Sequence, residues 1–106
     1  ISFPEVSVFK TNKGFARGGC VHSKSQEHLC VIEGEIEYHY ENLFGVRLIL
    51  HLDVGRSITI EPNTPHYFVS KTDSIVMEWG PSMEEKQAHH ERFRKEVLEH
   101  NSKVLL

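Results

Sequence analysis

Between Val6 and Trp79 the apolar residues recur at every second position, in short runs broken by Gly, Asn, Pro and Asp. Alternation of this kind places one row of side chains on each face of a strand, and it leaves little room for helix. The candidate strands are Val6–Lys10, Glu27–Glu33, Glu35–Glu41, Val46–Asp53, Ser57–Glu61, His66–Lys71 and Ser74–Trp79. Short strands at such spacing predict an all-β sandwich or barrel. Ile36, Tyr38 and Tyr40 share a face opposite Glu37 and His39, and Val46, Leu48, Leu50 and Leu52 line one face of the next strand. Both rows are expected in the core. Ile49 and His51 then lie on the outer face, where an apolar residue suits a subunit contact, so a homodimer is an expectation.

The period changes after Trp79. Ser82 followed by Glu85 forms a capping box that predicts a C-terminal helix over about 82–100, with Met83, His90, Phe93 and Val97 on one stripe. The charges between them, Glu84, Glu85, Arg92, Arg94, Lys95 and Glu96, read as a solvated face. His89 and His90 are adjacent, point to different sides and cannot chelate one ion.

A chain of 106 residues with 39% hydrophobic content fits one domain over 1–106, with the barrel at about 5–80. The net charge of −3 gives no basic surface for nucleic acid. No apolar run approaches the ~20 residues that span a bilayer, so no membrane partner and a cytoplasmic location are expected. The two cysteines, Cys20 and Cys30, are expected as free thiols, because an apolar core of this size needs no disulfide. Ile1 at the start and the apolar Val104, Leu105 and Leu106 at the end suggest a domain taken from a longer polypeptide.

The chemistry concentrates in two stretches. In RGGCVHSKSQEHLCVIEGE (17–35), Cys20 and His22 are two apart and project to one side of a strand, and the strand opening at Glu27 can add a carboxylate. In GRSITIEPNTPHYFVS (55–70), prolines and Asn63 shape a turn that delivers His66 as a fourth donor. Together these stretches resemble the two signature motifs of the cupin superfamily. His22, Glu27 and Gly34 match the spacing of the first motif, with Cys20 where a first His is expected. Gly55, Glu61, Asn63, His66 and Ser70 stand at the steps of the second, Glu61 where a Pro is expected, with Pro62 beside it, and Asn63 replacing a Gly that Asn can mimic in the left-handed region. The resemblance implies a short jelly-roll barrel with His22, Glu27 and His66 facing one cavity.

Within that superfamily, FARGGCVHSK resembles the segment found in cupins that act on nucleotide-linked 4-keto sugars, the 3,4-ketoisomerases and epimerase-like domains, through Arg17, Gly18, His22 and Glu27. The resemblance implies His22, Glu27 and His66 as catalytic groups, and Arg17 and Lys24 near the cavity mouth as candidates for an anion. Tyr38, Phe68, Met77 and Trp79 fit an inward wall, either as core or as the lining of a substrate pocket. Cys20, His22, Glu27 and His66 form a candidate site for a divalent metal ion. Thiolate favours zinc, with iron or manganese as the alternatives. Three readings follow: an isomerase or epimerase acting on a sugar or nucleotide-sugar, a non-catalytic small-molecule-binding module, and an iron-dependent dioxygenase.

Overall fold

The computed structural model describes residues 6–80 and 87–105. In chain order the elements are β1 (Val6–Thr11), β2 (Ala16–His22), β3 (Glu27–Glu33), β4 (Ile36–Glu41), β5 (Arg47–Leu52), β6 (Ser57–Ile60), β7 (His66–Ser70), β8 (Ser74–Trp79), β9 (Gln87–His89) and α1 (Glu91–Leu105). They form two antiparallel sheets, one ordered β1-β8-β3-β6 and one ordered β5-β4-β7-β2-β9. Consecutive strands repeatedly change sheets, which is the wiring of a jelly roll. The inner rows meet as expected from the alternation: Leu29 and Val31 of β3, Ile36 and Tyr38 of β4, Phe68 of β7 and Val76 of β8 are buried together between the sheets.

A second apolar cluster lies outside the barrel, where Ala16 of β2 and Tyr67 and Val69 of β7 receive Phe93 and Val97 of α1. Side chains lock the helix in register. Asn101 accepts a hydrogen bond from the Ala16 N–H at 2.7 Å and donates to the Ala16 carbonyl at 3.2 Å. Both Glu96 oxygens pair with the Arg47 guanidinium, and Tyr67 donates to Glu96 at 2.9 Å.

Two expectations need correction. The helix begins at Glu91, not near 82: residues 87–89 form β9, which pairs with Cys20–His22, and His90 caps the helix by accepting from the Phe93 N–H at 3.3 Å. Ser82, Met83, Glu84 and Glu85 lie outside the described residues. Of the row Val46, Leu48, Leu50 and Leu52, only Leu52 is buried. Among the described residues β5 is the last strand of its sheet, and no strand faces its far end. Cys20 and Cys30 are free thiols, as expected.

Candidate functional site

The sequence spacing alone would not bring Cys20 and His22 inside the barrel. Ala16 pairs with Val69 on the outer, helix-covered face, and strict alternation from there would send Cys20 and His22 outward too. A β-bulge between Gly18 and Cys20 inserts one extra residue, Gly19, and reverses the phase, so that Cys20 pairs with His66 on the inner face. Gly19 has φ of 85°, and a Cβ there would come within 2.8 Å of Arg94 Cα, so both the backbone conformation and the helix packing call for glycine. On the other side of the cavity, Asn63 adopts φ of 63°, and its N–H donates to the His22 carbonyl at 2.7 Å. That bond ties the turn preceding His66 to the end of the strand carrying His22.

His22, Glu27 and His66 converge. One donor atom from each lies within 4.8 Å of the others, and all three side chains are buried. Glu27 Oε2 is 2.9 Å from His66 Nε2 and 3.4 Å from His22 Nε2. Burial alone would raise the Glu27 carboxyl, but its hydrogen bonds with His22 and His66 override that and hold it well below the usual carboxylate range. His66 Nδ1 lies 2.8 Å from the Thr64 carbonyl, which can only accept, so Nδ1 carries a proton and Nε2 is the nitrogen turned to the cavity. With Nδ1 held by a backbone carbonyl, His66 turns Nε2 toward Glu27, and a metal bound there would displace the proton that Nε2 donates to the carboxylate. Two imidazoles and a carboxylate fit a divalent ion.

The strand phase of β8 brings a further residue to the cavity. Leu29 pairs with Glu78 and Val31 with Val76, so Glu78 shares the inner face with the core residues. Burial, then the charge of Glu27 and a hydrogen bond with it, push the Glu78 carboxyl up to about 8. It is therefore a neutral acid at pH 7, set against an ionised one. Tyr38 completes the interior. Its ring packs 6.0 Å from that of His66, its buried hydroxyl has no hydrogen-bond partner among the described residues, and burial, then the charges of Glu27 and Glu78, raises its pKa. A cleft of about 310 Å³ opens beside Tyr38, between the β4–β5 hairpin (Asn42, Leu43) and the β6–β7 turn (Pro62, Thr64).

The other candidates are distributed as follows. Cys20 faces the same interior but lies outside the close-set group of donors, and its thiol is raised by burial. Arg17 pairs with Phe68 on the inner phase of β2, is exposed, and lays its guanidinium 3.9 Å from the centre of the Phe9 ring. Lys24 is exposed in the β2–β3 connection. Phe68 is core. Trp79 and Met77 occupy the opposite phase of β8 from Glu78, and Trp79 stacks on His28 on the outer face at 5.4 Å, so neither lines the barrel interior. Glu78 went unread in the sequence because the larger residues Met77 and Trp79 made the other phase look like the buried one. The signal was there in Val76, an apolar residue in register with an acid two positions on.

The structure resembles solved proteins well beyond any sequence match. CapF, a capsular polysaccharide assembling protein of Staphylococcus aureus, superposes with a TM-score of 0.73 at 15% identity over 81% of this chain. A dTDP-4-dehydrorhamnose 3,5-epimerase from Sulfolobus tokodaii gives 0.67 at 20% identity over 77%. A Klebsiella pneumoniae protein with a double-stranded β-helix domain gives 0.68 at 24% identity over 79%. The chain has the cupin fold. It spans 26% of the CapF chain, 53% of the epimerase and 71% of the Klebsiella protein. No protein-family model matches the sequence, and no curated protein does. No helix among the described residues is long and apolar enough to cross a membrane.

Proposed function

We propose that the barrel interior binds a polar, carbonyl-bearing small molecule, a sugar or nucleotide-sugar, and moves a proton on the carbon beside its carbonyl. The observation that carries this reading is the buried convergence of His22, Glu27 and His66, with the neutral acid Glu78 and the unpartnered phenol of Tyr38 around it. Support for the substrate class comes from the Sulfolobus dTDP-4-dehydrorhamnose 3,5-epimerase, whose fold this chain shares. A divalent ion held by His22, Glu27 and His66 would supply Lewis acidity toward the carbonyl oxygen. Cys20, with its raised thiol, would join as a fourth donor only for an ion that displaces the thiol proton, zinc before iron or manganese.

The side chains supply the proton handling. Tyr38 and Glu78 are the groups able to donate toward a developing oxyanion, and the Glu27 carboxylate, oriented by His22 and His66, is the group able to receive a proton from carbon. Among the described residues no cation lines the cleft beside Tyr38, and Glu61 gives it a carboxylate, so that cleft suits the uncharged part of the ligand. A phosphate would go to Arg17 instead. The reading includes a homodimer, supported by the apolar residues that β5 leaves exposed.

The test is incubation with 4-keto nucleotide-sugars in deuterated water, followed by NMR of the recovered sugar. The reading expects deuterium on the carbon beside the carbonyl, lost in Glu27→Gln. Recovery of every candidate substrate without deuterium would remove the proton-transfer reading.

A further inference from the structure

We propose that two copies of this chain join edge to edge through β5, continuing the five-stranded sheet across a twofold axis. The inference rests on the homodimer reading above but not on the chemistry proposed for the barrel interior. β5 ends its sheet among the described residues. The Asn42 N–H donates to the Val46 carbonyl at 3.0 Å, which makes that a hydrogen-bonded pair of the β4–β5 ladder. Alternation then turns the main-chain groups of Leu48 and Leu50 toward β4, and those of Arg47, Ile49 and His51 out to the free edge. An exposed edge of this kind is a template for another strand. Soluble proteins usually blunt it with Lys, Pro or a bulge, and Arg47–Leu52 contains none of these.

What covers the edge is argued from its own pattern. A twofold axis at Leu50 pairs antiparallel copies so that Leu48 meets the partner's Leu52, Ile49 meets the partner's His51, and Leu50 meets the partner's Leu50. Beyond them Arg47, whose guanidinium is held by Glu96 of its own chain, comes opposite the partner's Asp53. Past the strand ends Val46, 52% exposed, comes opposite the partner's Val54, 63% exposed. On the inner face leucine therefore meets leucine, and past the strand ends valine meets valine, which is the self-complementarity a twofold interface demands. The hairpin tip adds Leu43 and Phe44, 93% and 89% exposed, and Ile49 is 47% exposed. At roughly 100–200 Å² per large apolar side chain these residues offer several hundred Å² per copy, the same order as one partner's share of a standard interface.

Sedimentation velocity of the purified chain tests the interface, with three variants. The proposal expects a species of twice the 12.2 kDa chain mass. His51→Pro removes an N–H that points out of the sheet, so the intrachain ladder stays intact while pairing is blocked. Ile49→Lys replaces the one large apolar side chain of the outer row with a charge at the seam. Each should weaken the dimer by about 100-fold or more, since every change acts twice across the axis. Leu98→Lys, on an exposed turn of α1, should leave it unchanged. Circular dichroism confirms that each variant is folded, and the two edge variants act by different means, so a folding failure in one leaves the other to decide. A monomeric wild type at about 100 µM, above the Kd of stable dimers, overturns both the homodimer and the β5 interface. A dimer that persists in folded Ile49→Lys or His51→Pro overturns the interface alone. Deuterium exchange is scored separately, because its groups Glu27 and His66 stand on β3 and β7 and not on the β5 edge.

Discussion

Replacing Glu78 by Gln should make the metal-free protein more stable as pH rises. Glu78 sits beside Glu27, with its carboxyl at about 8 against an ordinary value of 4.5. Below that ordinary value the group is protonated in both the folded and the unfolded chain and has no effect on the balance. Between about pH 4.5 and pH 8 the unfolded chain loses the proton and the folded one keeps it, so stability falls with rising pH. It levels off once the folded group has ionised too. Each pH unit in that window carries up to about 1.4 kcal/mol, so the full span is at most about 5 kcal/mol. Glutamine has the size of the protonated acid and keeps an N–H to donate to Glu27, yet it has no proton to lose. The assay is urea unfolding of chelator-treated wild type and Glu78→Gln from about pH 5 to about pH 9. The midpoints should lie close together at the acid end and diverge steadily up to about pH 8, with the variant the more stable. A constant offset across that range would refute the account of a neutral acid held against an ionised one.

Other perturbations read other parts of the account. Phe93→Ala empties the fully buried seat of α1 on Tyr67 and Val69, and should cost about 3–5 kcal/mol in chemical unfolding; a loss under about 1 kcal/mol would mean the helix contributes little to the fold. Tyr38→Phe removes a buried hydroxyl that has no partner, so unfolding should show unchanged or slightly higher stability while ligand affinity drops about tenfold; clear destabilisation would mean the hydroxyl is satisfied after all. Gly19→Ala forces a Cβ against Arg94 at positive φ, and its thermal midpoint should fall by several degrees; an unchanged midpoint would mean the bulge relaxes freely. Cys20→Ala should weaken zinc about tenfold or more and leave manganese within about twofold, because only the softer ion draws on the thiol; equal effects on both ions would remove Cys20 as a donor.

Much of the fold was legible because alternation is a local signal, and β3 and β8 begin and end where the pattern places them. The same signal cannot tell a central strand from an edge strand. The row Val46, Leu48 and Leu50 therefore looked like core, although its position in the sheet leaves it largely uncovered. At the site, His22, Glu27 and His66 were readable from their spacing, and the structure brings them together. Their geometry depends on Gly19, whose bulge reverses the strand phase and which the sequence shows only as one of two adjacent glycines. Trp79 and Glu78 were exchanged for a related reason. The phase of a short strand with large residues on both faces is set by its partners, and β8 takes its phase from Val31 and Leu29 of β3. The end of the chain was misjudged where a capping box suggested helix, because strand pairing with Cys20–His22 claims residues 87–89 first.

The claim on which the functional reading turns is that the buried triad holds a divalent ion, and metal content tests it most directly. Elemental analysis of protein purified without chelator should find close to one divalent ion per chain. Calorimetric titration of the stripped protein should return saturable binding that is lost in His66→Ala and Glu27→Gln while both variants remain folded. A wild type that carries no ion and shows no saturable binding of zinc, iron or manganese would contradict the account and leave a cavity that works with side chains alone.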